Sequence, residues 1–172
     1  GLIAGVNAAL LVQGKGPWIL SRSEAYMGVL VDDLTLKGSD EPYRMFTSRA
    51  EYRLSLRADN ADDRFSPRGF ELGLLPEEAI QKFEHRRKSR DALRKALDET
   101  YLYPAETTDQ TWLESLGQPS LKDRVSLSVL LKRPEMTLSR IIAQASGRPF
   151  CLSLPAHPDD AERVETEIKY AG

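Results

Sequence analysis

At 172 residues, with 41% hydrophobic and 29% charged residues, the chain is long enough for one ordinary domain or two small ones and too apolar to be disordered. Its 24 basic and 26 acidic residues leave a net charge of −2, which excludes a generally basic surface; any polyanion must be met by a local patch. The one cysteine, Cys151, excludes an internal disulfide and fits a reducing compartment, and with only His85 and His157 available a zinc site is not expected.

Gly1 to Val12 reads as a buried helix, with Ala4, Gly5, Ala8 and Ala9 small enough to let another backbone approach closely. Glycine inside a helix costs up to about 1 kcal/mol relative to alanine, so Gly5 suggests tight packing against a sheet or a cofactor. Gln13-Gly14-Lys15-Gly16-Pro17 breaks that helix and is not a phosphate loop, because it follows a helix and lacks the Gly-Lys-Ser/Thr signature. Ser21 or Ser23 can cap a second helix, with Glu24 in its first turn. Tyr26, Met27, Val29, Leu30, Val31, Leu34 and Leu36 predict that this helix is mostly buried. Asp32 and Asp33 point about 100° apart on a helix and read as structural acids, not as a metal or proton pair.

After a loop at Lys37-Gly38-Ser39-Asp40 comes the stretch Glu41 to Arg57, whose basic residues are all arginine. Guanidinium grips phosphate or carboxylate with two hydrogen bonds, where lysine offers a point charge. From Arg49 the pattern alternates: Ala50, Tyr52, Leu54 and Leu56 on one face, Arg49, Glu51, Arg53, Ser55 and Arg57 on the other. That predicts a half-buried strand; a helix, with the arginines four apart, is the competing geometry. On a strand Arg49 and Arg53 stand roughly 13 Å apart at about 3.3 Å per residue, far enough to touch separate phosphates. The pattern equally suits a solvated face neutralised by Glu51, Asp59, Asp62 and Asp63.

Phe65 to Leu72 predicts a short helix ending at Gly73, and Pro76-Glu77-Glu78 starts a long one running to about Glu99, with Ile80, Phe83, Leu93 and Leu97 on its buried edge. Its middle, His85 to Arg90, is densely basic and interrupts the apolar stripe; it is either a solvated face or a second phosphate-contacting patch. Tyr101 to Pro104 closes that helix. Short helices follow around Trp112-Leu113 (capped by Thr108 or Asp109, ending at Gly117), over Ser126 to Lys132, and from a Thr137 cap to Gln144, stopped at Gly147. Asp159-Asp160 opens the last helix, with Ala161, Val164 and Ile168 as a narrow stripe, and Cys151 between Phe150 and Leu152 reads as core filler. No run approaches the roughly twenty apolar residues of a membrane span. The start lacks the charged region of a signal peptide, and both ends read as cut from a longer protein.

Four segments resemble the MnmG/GidA family: Gly1 to Ala8, Glu24 to Leu34, Glu41 to Leu56 with Asp59-Asn60-Ala61-Asp62, and Leu130 to Thr137; Glu167 to Tyr170 is a weaker fifth. The resemblance spans nearly the whole chain except Lys95 to Asp123, and the third segment is the most specific. It implies a mainly α fold: the end of an FAD-binding α/β domain with a short strand segment, then a helical C-terminal region. The divisions it implies are 1–16, the tail of the FAD domain; 17–73, a connecting segment with the arginine motif; and 74–172, an incomplete helical subdomain.

The family's members are FAD-dependent enzymes that, with a GTPase of the MnmE type, install an aminomethyl-type group on C5 of the wobble uridine of tRNA. NADH and a methylene-tetrahydrofolate are the co-substrates. The resemblance therefore implies FAD, tRNA, the GTPase and a homodimer as partners, in the cytoplasm or, for an organellar homologue, the mitochondrion. It implies no catalytic residue within this chain, because the family's dinucleotide fingerprint and cysteines lie elsewhere. Gly1 and Gly5 are the candidate flavin-facing positions. Arg44 and Arg53, then Arg49 and Arg57, are the candidate tRNA-facing residues, with Arg86, Arg87, Lys88 and Arg90 as a secondary patch. Arg44 can alternatively brace the flavin domain, with Tyr43 and Phe46 beside it reading as buried. A helical RNA-binding or adaptor module without redox chemistry is the alternative, and the related folate- and FAD-dependent tRNA methyltransferase fits the arginine segment less well.

Overall fold

The computed structural model describes residues 1–38, 40–143, 152, 155 and 157–171. The core role expected for Cys151 and the helix end expected at Gln144 and Gly147 fall outside the described residues. The chain is mainly helical and divides into two compact units, Gly1–Ile80 and Gln81–Gly172. No helix among the described residues is long and apolar enough to cross a membrane.

The first unit holds α1 (Leu2–Val12), α2 (Tyr26–Asp32), a π-helical turn (Asp33–Lys37), a 3-10 turn (Thr47–Arg49) and α3 (Ala61–Glu71). Helix α1 forms where it is predicted, but it is not the buried helix expected: only Val6 and Leu10 are buried, and Leu11 and Val12 are 77% and 88% exposed. Among the described residues, nothing beyond its own helix lies within 4 Å of a Cβ placed on Gly5. The second helix also departs from expectation, with Val31, Leu34 and Leu36 exposed and only Gly28, Val29 and Asp33 buried. Before it, a tight turn forms in which Glu24 Oε2 accepts from Ser21 N at 2.7 Å and Ser21 O accepts from Glu24 N at 3.2 Å. Helix α2 lies so close to this turn that a Cβ on Gly28 would fall 2.1 Å from Ser21 O. Only glycine fits there.

The predicted strand from Arg49 to Arg57 is corrected. The chain makes the 3-10 turn and then a second turn in which Ser55 N and Leu56 N both donate to Tyr52 O, at 3.0 and 2.9 Å. A strand satisfies its backbone only against a neighbouring strand. The one sheet among the described residues lies elsewhere, so these groups close on themselves instead. Ala50 and Leu56 still turn inward and, with Val29, form a small core flanked by Tyr26 and Met45, while Tyr52 and Leu54 face out.

The second unit contains most of α4 (Glu77–Glu99), then β1 (Tyr101–Leu102), α5 (Thr107–Ser115), β2 (Val125–Ser126), α6 (Leu127–Leu131), α7 (Leu138–Ala143) and α8 (Pro158–Tyr170). Helix α4 has the predicted extent, and Ile80, Phe83, Leu93 and Leu97 are all buried. Strands β1 and β2 pair antiparallel with Tyr101 opposite Ser126 and Leu102 opposite Val125; two residues per strand are too few for an alternation to show in sequence. The caps act as their chemistry suggests: Ser126 Oγ accepts from Val129 N and Thr137 Oγ1 from Arg140 N. Asp109 instead sits inside α5, where its Oδ2 accepts from Tyr103 N at 2.6 Å. The core joins Leu93, Leu97, Leu102, Leu113, Leu127, Leu130, Leu131, Met136, Ile141, Val164 and Ile168, each almost fully buried.

Candidate nucleic-acid interface

One side chain organises the arginine segment. Arg22 Nη1 donates to Asp32 at 3.0 Å and to Asp33 at 2.8 Å, its Nη2 to Glu51 at 2.7 Å and to the carbonyl of Arg49 at 3.0 Å. A planar guanidinium with five donors can hold three carboxylates and a carbonyl at once, which an ammonium cannot. Asp33, only 2% exposed, is the second hub: it also accepts from Lys37 Nζ at 3.1 Å and Tyr43 Oη at 2.9 Å, with Arg49 Nη1 at 3.6 Å. The bonds from Arg22, then Tyr43 and Lys37, hold the Asp33 carboxyl far below the usual carboxylate range. Burial and the bond to Asp33 push the Tyr43 phenol up, so it stays a donor. The adjacent acids are thus structural, as the sequence suggests. Arg22 carries no signal in the sequence, because nothing in Ser21-Arg22-Ser23 reveals acids 10 to 29 positions away.

This scaffold sorts the four arginines of the segment. Arg49 is engaged with Asp33 and lies over the Tyr43 ring at 4.9 Å. Arg57 is clamped on Asp59, Nε to Oδ1 and Nη2 to Oδ2 both at 2.9 Å, and also donates to Leu54 O. Arg64 braces the same region from α3, donating to the carbonyls of Glu24 and Arg57. Arg44 and Arg53 differ: both are exposed and neither has a carboxylate partner among the described residues. Arg44 lies over the Phe46 ring at 5.2 Å, and Arg53 makes no polar contact among the described residues. The expected burial beside Arg44 is corrected, since Phe46 is 47% exposed and Tyr43 only half-buried.

The secondary patch divides as well. Arg86 grips Asp160 with Nε at 2.9 Å and Nη2 at 2.8 Å, and Arg90, buried with it, donates from Nη1 at 3.1 Å. Arg94, one turn further, faces Glu167 at 3.7 Å. Arginines at every fourth position of α4 therefore form an ion-pair seam with α8, and this is why the basic run interrupts the apolar stripe. Arg86 and Arg90 are corrected from phosphate contacts to structural ones. Burial alone would push the Asp160 carboxyl up; the bonds from Arg86 and Arg90 outweigh it and hold it below its ordinary value. Arg87 and Lys88 remain on the open face, Arg87 with only a loose 3.9 Å approach to Asp91.

Gly1 and Gly5 line a cleft of about 500 Å³ together with Ala9, Lys15 and Arg68. Apart from chain neighbours and the backbone of α1 itself, no atom among the described residues lies within 4 Å of where either glycine's Cβ would be.

Comparison with known proteins gives this geometry its context. The family model described as the tRNA modifying enzyme MnmG/GidA C-terminal helical domain matches residues 77–172. The tRNA uridine 5-carboxymethylaminomethyl modification enzyme MnmG of Bacillus licheniformis is 45% identical over the whole chain, and that of Geobacter metallireducens is 47% identical. The chain spans about a quarter of the length of these curated relatives, 26% and 27%. The solved structure of Aquifex aeolicus GidA in its form II crystal superposes with a TM-score of 0.76 at 34% identity, covering 97% of this chain and 24% of that one. With the family model covering more than half of the residues and the solved fold matching nearly all of them, the chain belongs to the MnmG/GidA family.

Proposed function

We propose that the chain is part of an FAD-dependent enzyme that, with a GTPase partner of the MnmE type, adds a carboxymethylaminomethyl or aminomethyl group to C5 of the tRNA wobble uridine. Its residues supply tRNA grip and domain or dimer contacts within a cytoplasmic homodimer. The reading rests on family membership, and one observation carries the RNA role: Arg44 and Arg53 are exposed and have no acid partner among the described residues, on a segment whose other arginines are engaged by Asp33 and Asp59. An arginine held by a carboxylate must break that pair to bind phosphate, whereas an unpaired one does not. Arg87 and Lys88 form a second, weaker phosphate-facing pair on α4.

The cleft at α1 suits a flavin. Gly1 and Gly5, which carry no side chain, leave room on the α1 side of it. Residues 1–16 would close the FAD domain, 17–73 connect it, and 74–172 form the helical subdomain. FAD with NADH supplies the redox chemistry, and methylene-tetrahydrofolate the carbon.

The test is tRNA affinity of the full-length enzyme against salt, wild type beside Arg44→Ala/Arg53→Ala. Each lost phosphate contact should lower the steepness of the log–log plot by somewhat less than one, about 0.7 to 0.9. A folded double variant with unchanged affinity and slope would move the tRNA footprint away from this segment.

A further inference from the structure

We infer that the arginine segment is a stacking platform for unpaired bases, with Tyr52 and Phe46 taking the base faces and Arg44 and Arg53 the flanking phosphates. The inference rests on the RNA reading above and deepens it: the ligand class is single-stranded RNA, such as a loop, and not duplex.

The segment is pinned at two places. Ala50 and Leu56 are buried in the small core, and on either side of Ala50 Arg22 holds the Arg49 carbonyl and the Glu51 carboxylate. Everything between the pins turns outward, so Tyr52 is 51% and Leu54 66% exposed. The Tyr52 backbone is nonetheless fixed, because its carbonyl accepts from both Ser55 N and Leu56 N. Its side chain has no partner among the described residues. Phe46 is exposed just before the 3-10 turn, its ring already stacked under the Arg44 guanidinium.

Tyr43 makes the contrast. Its hydroxyl is committed to Asp33 and its ring to Arg49, so it serves the scaffold. Two aromatic rings held out on a rigid backbone, each beside an arginine free of acids, match the chemistry of a base stacked on a ring with its phosphate beside a guanidinium. A duplex offers no exposed base face to such rings, which excludes it as the preferred ligand. A protein partner would have to place a carboxylate at each arginine, whereas every nucleotide of an RNA carries a phosphate for the guanidinium along with a base for the ring.

The experiment uses the full-length, FAD-loaded enzyme. The probes are a stem-loop RNA carrying 2-aminopurine in its unpaired loop and a blunt RNA duplex of equal length. The variants Phe46→Ala, Tyr52→Ala, Tyr52→Leu and Tyr52→Phe are compared, each checked by circular dichroism and sedimentation. Tyr52→Ala and Phe46→Ala should each weaken stem-loop binding about tenfold with the salt slope unchanged, and should reduce the quenching of 2-aminopurine. Tyr52→Phe should bind as wild type, and duplex binding should not respond. Tyr52→Leu keeps an apolar side chain but no ring, so it should fail like Tyr52→Ala and serves in its place if that variant does not fold.

Wild-type stem-loop affinity in both Tyr52→Leu and Phe46→Ala would overturn the inference. If Arg44→Ala/Arg53→Ala still flattened the salt slope, the RNA reading itself would survive that result. Equal losses on stem-loop and duplex would overturn the inference by making the rings mere supports. A shift in sedimentation without a change in RNA affinity would assign the rings to a protein contact instead, again overturning it.

Discussion

Replacing Asp160 with alanine takes from the buried Arg90 the carboxylate to which its Nη1 donates at 3.1 Å. Arg90 is 4% exposed and the Asp160 side chain 2%, so water cannot take the place of the lost carboxylate. Removing one partner of such a pair costs about 3 to 5 kcal/mol, most of it from the stranded charge. The pair ties the first turn of α8 to α4, so the cost should appear as local opening of α8. Amide exchange in the full-length protein, read peptide by peptide by mass spectrometry, should accelerate across 159–170 by more than about a hundredfold, because each 1.4 kcal/mol is a factor of ten. Replacing both partners with leucine, Arg90→Leu/Asp160→Leu, should restore part of the protection, since neither member of the buried pair then carries a charge, while Arg86 still loses its bond to Asp160. The pH dependence has a definite sign. Asp160 titrates below its unfolded value, so its contribution is fully present above about pH 4 and is lost as pH falls through the folded value. Protection in α8 that is unchanged in Asp160→Ala would refute the seam as a source of stability.

Asp33→Asn should loosen the hub, leaving Arg22 to Asp32 and Glu51: exchange should rise across 43–51 while α8 is unaffected, and the tRNA salt slope should change because Arg49 loses its acid. The Asp33 carboxyl is also depressed, so the wild-type hub persists above about pH 4 and loosens only as pH falls well below it. Gly28→Ala should destabilise the first unit by about 1 to 3 kcal/mol, since the new methyl would meet the backbone carbonyl of Ser21 and not a movable side chain. A midpoint of chemical denaturation equal to wild type would show that the turn at Ser21 yields freely.

Local chemistry was legible along most of the chain. Pro76-Glu77-Glu78, Ser126, Thr137 and Asp159-Asp160 mark helix starts that the structure confirms, because caps, proline and the dipole act within one turn. The motif from Glu41 to Leu56 was legible as a family likeness, and Arg44 and Arg53 stood out within it. What the sequence could not reveal is which charges meet. Arg90 lies 70 positions from Asp160 and Arg22 lies 29 from Glu51, and no local spacing encodes such a meeting. The same limit explains the false strand: alternation from Arg49 to Arg57 records which side chains can turn inward, but a strand also needs a neighbour for its backbone. The helix ends were set by local physics; whether an arginine is a brace or stays exposed was decided by the tertiary fold, which alone brings a carboxylate to it or leaves it facing outward.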